Sequence, residues 1–174
     1  MAKFFAVLFA TCLFAVTSFS ASAAETKVML SDVHICCKSC VTDIEKNLKE
    51  VKGITFTVNK EGGTVALVAQ DTASAQAGVD ALATAGYHGK SDSKEVMMKD
   101  SAAPEGKVMK AEVSNIHNCC GKCTTAIEKA VKSVAGVKET TLKPKATTFE
   151  VTGDFDAKAL AKALNDAGFQ ATVK

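Results

Sequence analysis

The chain repeats itself. The stretch from His34 to Cys40, HICCKSC, returns 83 positions later as HNCCGKC, His117 to Cys123. The registration pairs His34 with His117, Cys36 with Cys119, Cys37 with Cys120 and Cys40 with Cys123, and beyond the motif it pairs Gly53 with Gly136. In a chain of 174 residues, such a duplication implies two copies of one small unit, each with its own core. After each cluster, apolar or small residues recur at helical spacing: Val41, Ile44, Leu48 and Val51 in the first copy, Thr124, Ile127, Val131 and Val134 in the second. Each series is one face of an amphipathic helix closed by its glycine. Further on, ALATAGYHG pairs with ALNDAGFQA at an offset of 82, marking a second helix end in each copy.

Strand-like runs fill the rest. Between the helices lie ITFTVNK and TVALVAQD, separated by the turn-forming EGG, and in the second copy ETTLKPK and TTFEVTG. An alternating stretch precedes each cluster, KVMLSDVHI or KVMKAEVSNI, and each copy ends in a short extended tail, KEVMMK or QATVK. The order predicts an α+β chain of two tandem ferredoxin-like βαββαβ domains, each a four-stranded antiparallel sheet with two helices on one face. The second and fourth strands take the edges of such a sheet, where Pro144 is tolerable because an edge strand can spare an amide donor. The proline-bearing segment DSAAPEG, residues 100–106, reads as a flexible linker between a first domain at 25–99 and a second at 107–174.

Residues 1–24 stand apart, with Lys3 ahead of a short apolar run and the small residues ASAA at its end. That is the pattern of a secretory signal peptide, and it predicts a mature protein exported to the periplasm or the extracellular space and not inserted in a membrane. Without that segment 20 lysines face 19 acidic residues, and the chain has no arginine. So weak and scattered a positive charge, with no bidentate phosphate ligand, argues against nucleic acid as a partner.

Six of the seven cysteines fall in the two clusters, whereas a disulfide-stapled secreted domain would distribute them. Each cluster lies between a strand and a helix, so its thiols occupy a loop and a first helical turn. Exposed amides and the helix dipole there favour thiolate, and Lys38 and Lys122 push the same way. Thiolates select soft ions, Cu(I) and zinc among them. Three sulfurs allow trigonal Cu(I); with an imidazole they allow a tetrahedral Cys₃His site suited to zinc or cadmium. His34 and His117 enter the candidate set because residues i and i+2 of an extended segment share a face, which would point His34 with Cys36. The metal candidates are therefore Cys36, Cys37, Cys40, Cys119, Cys120, Cys123, His34 and His117. Tyr87 and Phe169 read as core aromatics, and His88 as a surface residue.

With these motifs, and with the strand and helix order, the chain resembles the heavy-metal-associated domain family of copper chaperones, metal-transporting ATPases and periplasmic mercury-binding proteins, as two tandem copies. The resemblance implies that Cys37 with Cys40, and Cys120 with Cys123, are metal ligands. The chain departs from the family signature G-M-T-C-x-x-C by placing Cys36 and Cys119 where the family has Thr, Ile35 and Asn118 where it has a buried Met, and His34 and His117 where it has Gly. The function it implies is an exported soft-metal-ion binding protein, without enzymatic activity, that traffics, buffers or detoxifies its ion. Cu(I) is the first candidate and Zn(II) the next, with cadmium and mercury compatible. A membrane metal transporter or another metal carrier is the expected partner. The competing reading is a thiol-disulfide oxidoreductase using the C-x-x-C pairs, which would need a different strand and helix order. No hydrolytic or phosphate-binding motif is present.

Overall fold

The computed structural model describes residues 24–174, so all but the last residue of the predicted signal segment lies outside the described residues. The first half runs β1 (Thr26–Ser31), α1 (Lys38–Lys49), β2 (Ile54–Asn59), β3 (Thr64–Ala69), α2 (Thr72–Thr84) and β4 (Lys90–Ser91). The second half runs β5 (Lys107–Ser114), α3 (Gly121–Lys132), β6 (Val137–Thr140), β7 (Phe149–Asp156), α4 (Ala157–Asp166) and β8 (Thr172–Val173). Each half forms one antiparallel sheet, in the orders β2-β3-β1-β4 and β6-β7-β5-β8, so the second and fourth strands are the edges. This is the expected ferredoxin-like α+β architecture.

Alternation along the central strands explains why the helices share one face. Val65, Leu67 and Ala69 of β3 point inward, as do Phe149, Val151 and Phe155 of β7, while the residues between them do not. Against these faces lie Ile44 and Leu48 of α1, Val79 and Leu82 of α2, Ile127 and Val131 of α3, and Leu160 and Leu164 of α4, all fully buried. Among the described residues no helix is long and apolar enough to cross a membrane.

Three local expectations are corrected. The fourth strand of the first half is Lys90–Ser91, paired with Leu30 and Ser31, and not the KEVMMK run. Serine side chains take the backbone out of the ladder there: Ser91 Oγ donates to the Val96 carbonyl at 2.6 Å, and Ser93 Oγ accepts from the amides of Glu95 and Val96. Pro144 lies beyond β6, in the turn before β7, because Thr140 Oγ1 and Thr141 Oγ1 accept from the amides of Leu142 and Glu150 and end the strand early. The 100–106 segment is bound at its start rather than loose. Ala102 forms a parallel bridge with Thr172 and accepts from the Val173 amide at 2.8 Å, while buried Ser101 accepts from the Ala171 amide at 2.8 Å.

The halves meet where α2 and α4 end. Gly86 and Gly168 follow those helices with φ of +85° and +84°, and Tyr87 and Phe169 donate back to the carbonyls of Leu82 and Leu164 at 3.0 Å. That is the left-handed glycine cap expected at a helix C-terminus. Each glycine also serves the other domain. The Gly86 carbonyl accepts from the amides of His117 and Gln170 at 3.4 and 3.0 Å, and the Gly168 carbonyl accepts from those of His34 and His88 at 3.4 and 3.1 Å. Tyr87 and Phe169 face each other across an antiparallel bridge. The repeat thus becomes a pseudo-twofold interface, and it brings the two cysteine loops together.

Candidate metal centre

Both cysteine loops are built alike. Asp32 and Asn115 turn the chain after β1 and β5 with φ of +59° and +58°, a conformation these two residue types tolerate better than most. Val33 and Ile116 then anchor each loop in the core. Cys37 and Cys120 sit at the N-caps of α1 and α3 in extended conformation, and neither makes a side-chain cap hydrogen bond. The contrast with the other helices is instructive: α2 and α4 are capped by Asp71 and Asp156, which accept from Ser74 and Ala159 amides at 2.7 and 2.8 Å. At the two site helices the cap is given up for a thiol. Cys120→Ser should therefore raise the stability of the metal-free reduced protein by up to about 1 kcal/mol, seen as a higher thermal midpoint, because serine can cap α3. An unchanged or lower midpoint would contradict this reading of the cap.

All six predicted cysteines converge. Within the first loop Cys40 Sγ lies 3.7 Å from the sulfurs of both Cys36 and Cys37. Within the second, Cys123 Sγ lies 3.8 Å from those of Cys119 and Cys120. Across the domains, Cys36 lies 3.5 Å from both Cys120 and Cys123, Cys119 lies 3.8 and 3.6 Å from Cys37 and Cys40, and Cys40 lies 3.9 Å from Cys123. Cys40 and Cys123 are fully buried at the centre; the other four are half-buried around them. None of the six is in a disulfide.

Negative charge settles unevenly in this group. The Cys123 thiol beside it draws Cys40 down to about 2, and the same contact pushes Cys123 up, so Cys40 is the thiolate of the pair. Cys120 is drawn down to about 6, first by the nearby Cys123 amide, whereas burial pushes Cys36 up to about 12. Each loop therefore holds one thiol that its neighbours make more acidic, Cys40 in the first and Cys120 in the second.

The two histidines part company. One ring nitrogen of His117 lies within 4.8 Å of the sulfurs of Cys40, Cys119 and Cys123, close enough to count toward a Cys₃His site. Yet Nδ1 sits 3.1 Å from Asp43 Oδ2 and Nε2 sits 2.9 Å from the Tyr87 hydroxyl. Both nitrogens are engaged, and the ring stacks on Tyr87 at 4.3 Å, so in this arrangement His117 fastens the interface. His34 stacks in the same way on Phe169 at 4.4 Å and groups with Cys36 and Cys123, but its buried Nε2 has no hydrogen-bond partner among the described residues. Burial also lowers its pKa, favouring the neutral imidazole that can bind a metal.

Asn118 satisfies its amide instead of exposing it. Nδ2 donates to the carbonyls of Lys143 and Ala146 at 3.1 and 2.9 Å, and Oδ1 accepts from Thr124 Oγ1 at 2.8 Å, tying the second cysteine loop to the β6–β7 turn. The counterpart Ile35 is simply buried. Tyr87 and Phe169 are fully buried as expected, but at the junction of the domains; His88, expected on the surface, is buried as well. Sequence reading missed Asp43 and the two glycines as parts of the site. The repeated Ala-Gly-aromatic triplet at 85–87 and 167–169 was the available signal for the glycines.

The chain is 30% identical over 138 residues to Copper-transporting ATPase 1 of Rhizobium meliloti (strain 1021), which takes in 76% of this chain but only 14% of that protein. Solved structures that match include the N-terminal soluble domains of Bacillus subtilis CopA, at 18% identity and a TM-score of 0.32 over 87% of this chain and 95% of that one. They also include the first two RRM domains of yeast Poly(U) Binding Protein, at 12% identity and a TM-score of 0.25 over 86% of this chain and 98% of that one. Residues 112–170, from within β5 through the second cysteine loop to just beyond α4, match the model of the heavy-metal-associated domain.

Proposed function

We propose that this protein is an exported carrier or buffer of a soft metal ion, with Cu(I) its first cargo and Zn(II) the next, held by Cys36, Cys37, Cys40, Cys119, Cys120 and Cys123. The observation that carries the reading is the convergence of six thiols from two domains, each 3.5–3.9 Å from a neighbour. A metal–sulfur bond of about 2.3 Å requires sulfurs about 3.8 Å apart in a tetrahedron and about 4.0 Å apart in a planar triangle. The six therefore need little movement to close on an ion. All-sulfur surroundings favour Cu(I) over harder cations. The heavy-metal-associated match in the second half and the likeness to a copper-transporting ATPase support metal binding and trafficking as the broad function. Half-buried Cys37 and Cys120 are the points at which another carrier, or a membrane metal transporter, would exchange thiolates with the site. The role is transfer or sequestration, with no chemical step. The βαββαβ order of both halves favours this reading over the thiol-disulfide alternative.

The test is an anaerobic competition titration of the fully reduced protein, setting Cu(I) against Zn(II) with chelators of known affinity. Tight Cu(I) uptake that displaces zinc is expected, and it should disappear when Cys37, Cys40, Cys120 and Cys123 are all replaced by serine. Failure to take up Cu(I) against the chelator would overturn the proposal.

A further inference from the structure

We infer that Cys36 and Cys119 knit the two C-x-x-C pairs into one polynuclear site, which takes up Cu(I) as a single thiolate cluster of about four ions and not as one ion per domain. The inference rests on the soft-metal reading above and deepens it.

The sulfur separations close four triangles: Cys37–Cys40–Cys119, Cys40–Cys119–Cys123, Cys36–Cys40–Cys123 and Cys36–Cys120–Cys123. Every triangle takes two sulfurs from one domain and one from the other. The link is the work of the residues in front of each C-x-x-C. Apart from Cys40–Cys123, every cross-domain separation below 4 Å involves Cys36 or Cys119. Without those two, the cysteines reduce to two pairs meeting at one edge.

Coordination geometry then selects among the ways of filling the site. Linear two-coordinate Cu(I) sets its sulfurs twice the metal–sulfur bond apart, more than about 4 Å even for a bond somewhat shorter than the roughly 2.3 Å of tetrahedral zinc. The C-x-x-C pairs stand at 3.7 and 3.8 Å, so each would have to open further than a trigonal site requires. Trigonal sites need about 4.0 Å, only a few tenths more than the triangles show. A four-sulfur zinc site is less well prepared, because no set of four sulfurs is joined by all six of the contacts it would need. At Cys40, Cys119 and Cys123 the histidine within reach is His117, whose nitrogens are engaged by Asp43 and Tyr87, and His34, whose Nε2 has no partner among the described residues, groups with two sulfurs only, those of Cys36 and Cys123. Adjacent triangles share the edges Cys40–Cys119, Cys40–Cys123 and Cys36–Cys123, so their sulfurs must bridge metal ions, as in a cluster.

Charge runs the same way. Four Cu(I) ions bound by six thiolates leave a cluster of charge 2−, with protons released from whichever thiols still hold them and no change of oxidation state. The N-termini of α1 and α3, whose first turns hold the cysteines, each present roughly half a positive charge to that residue of negative charge. A single ion among six thiolates would leave most of the charge uncompensated or most of the thiols protonated. Filling is therefore favoured once begun, and intermediate loadings should be sparse.

The experiment is an anaerobic Cu(I) titration of the reduced full chain, read by native mass spectrometry and by copper X-ray absorption, beside Cys36→Ser/Cys119→Ser. The wild type should pass from empty to about four ions with few intermediates and show copper–copper scattering. The double variant should hold about half as many, without that scattering. A wild type that saturates at two ions with only copper–sulfur scattering overturns the inference, whether or not the variant folds. So does a folded double variant that fills to the wild-type number. If the wild type takes up no Cu(I) against the chelator, the soft-metal reading itself fails, an outcome distinct from either of these.

Discussion

Gly168→Ala should pull the two domains apart while leaving each one folded. A Cβ at position 168 would stand 2.4 Å from the His34 amide nitrogen and 2.6 Å from the Asp32 carbonyl oxygen, both backbone atoms of the other domain's cysteine loop. No rotamer change relieves a contact between backbone and Cβ, so the interface itself must give. Gly86 is placed equivalently, 2.4 Å from the His117 amide nitrogen. Part of any loss comes from the left-handed conformation, which costs a non-glycine residue roughly 1–2 kcal/mol. Gly106→Ala isolates that part, because Gly106 has φ of +82° with nothing within 4 Å of its added Cβ. Small-angle scattering of the metal-free protein should give a larger radius of gyration for Gly168→Ala and an unchanged one for Gly106→Ala. Cu(I) capacity should fall with docking, since every sulfur triangle spans the domains. A Gly168→Ala protein as compact as the wild type would show that the interface is not built on this approach.

The domain pairing explains why the motif is duplicated with three thiols rather than two. In one isolated loop the cysteine before the C-x-x-C pair would be a third sulfur beside a two-sulfur site. Across the pseudo-twofold it faces the other loop: Cys36 lies 3.5 Å from Cys120 and Cys123, and Cys119 lies 3.6 Å from Cys40. The bound start of the 100–106 segment acts in the same direction, since a tether held along β8 limits how far the halves can separate. Preorganisation of this kind would reduce the entropy lost if an ion recruits ligands from both domains, as inferred above.

Sequence patterning gave access to most of this fold because it records periodicity. The helical spacing around Ile44 and Ile127 and the alternation of Val65 and Leu67 each report which face meets the core, and the duplication reports that this happens twice. Strand ends were harder to read, since side-chain hydrogen bonds from Ser91, Ser93, Thr140 and Thr141 override alternation locally. The cysteines were legible as a set because sulfur chemistry is written in residue type and spacing. Their meeting across the domains was not, because it depends on two glycines whose relevance is the absence of a side chain. The divergence of His34 and His117 was likewise hidden: they are equivalent in the repeat, and only the first domain supplies an Asp43 carboxylate and a Tyr87 hydroxyl, where the second supplies Phe169.

That difference makes Tyr87 the most informative single residue at the junction. Its ring is fully buried and stacks on His117 at an interplanar angle of 27°, and its hydroxyl lies 2.9 Å from His117 Nε2, 3.1 Å from Asp43 Oδ2 and 3.3 Å from the Cys40 carbonyl oxygen. With the His117 Nδ1 proton donated to Asp43, Nε2 is free to accept the single phenol proton, and one connected network of Tyr87, His117 and Asp43 then holds α1 against the other domain. Tyr87→Ala should lower the unfolding free energy of the metal-free reduced protein by about 3–5 kcal/mol, the range for truncating a buried aromatic. Tyr87→Phe keeps the ring and the stack and should cost about 1 kcal/mol, the net worth of an ordinary hydrogen bond. Urea unfolding monitored by circular dichroism separates the two. Metal capacity should survive in the phenylalanine variant, because Phe169 already fills the equivalent place beside His34 without a hydroxyl. If Tyr87→Phe cost as much as Tyr87→Ala, the polar network and not the aromatic packing would be what holds the domains together. The pseudo-symmetry would then be one of shape alone, with the first domain's hydroxyl and carboxylate carrying the interface.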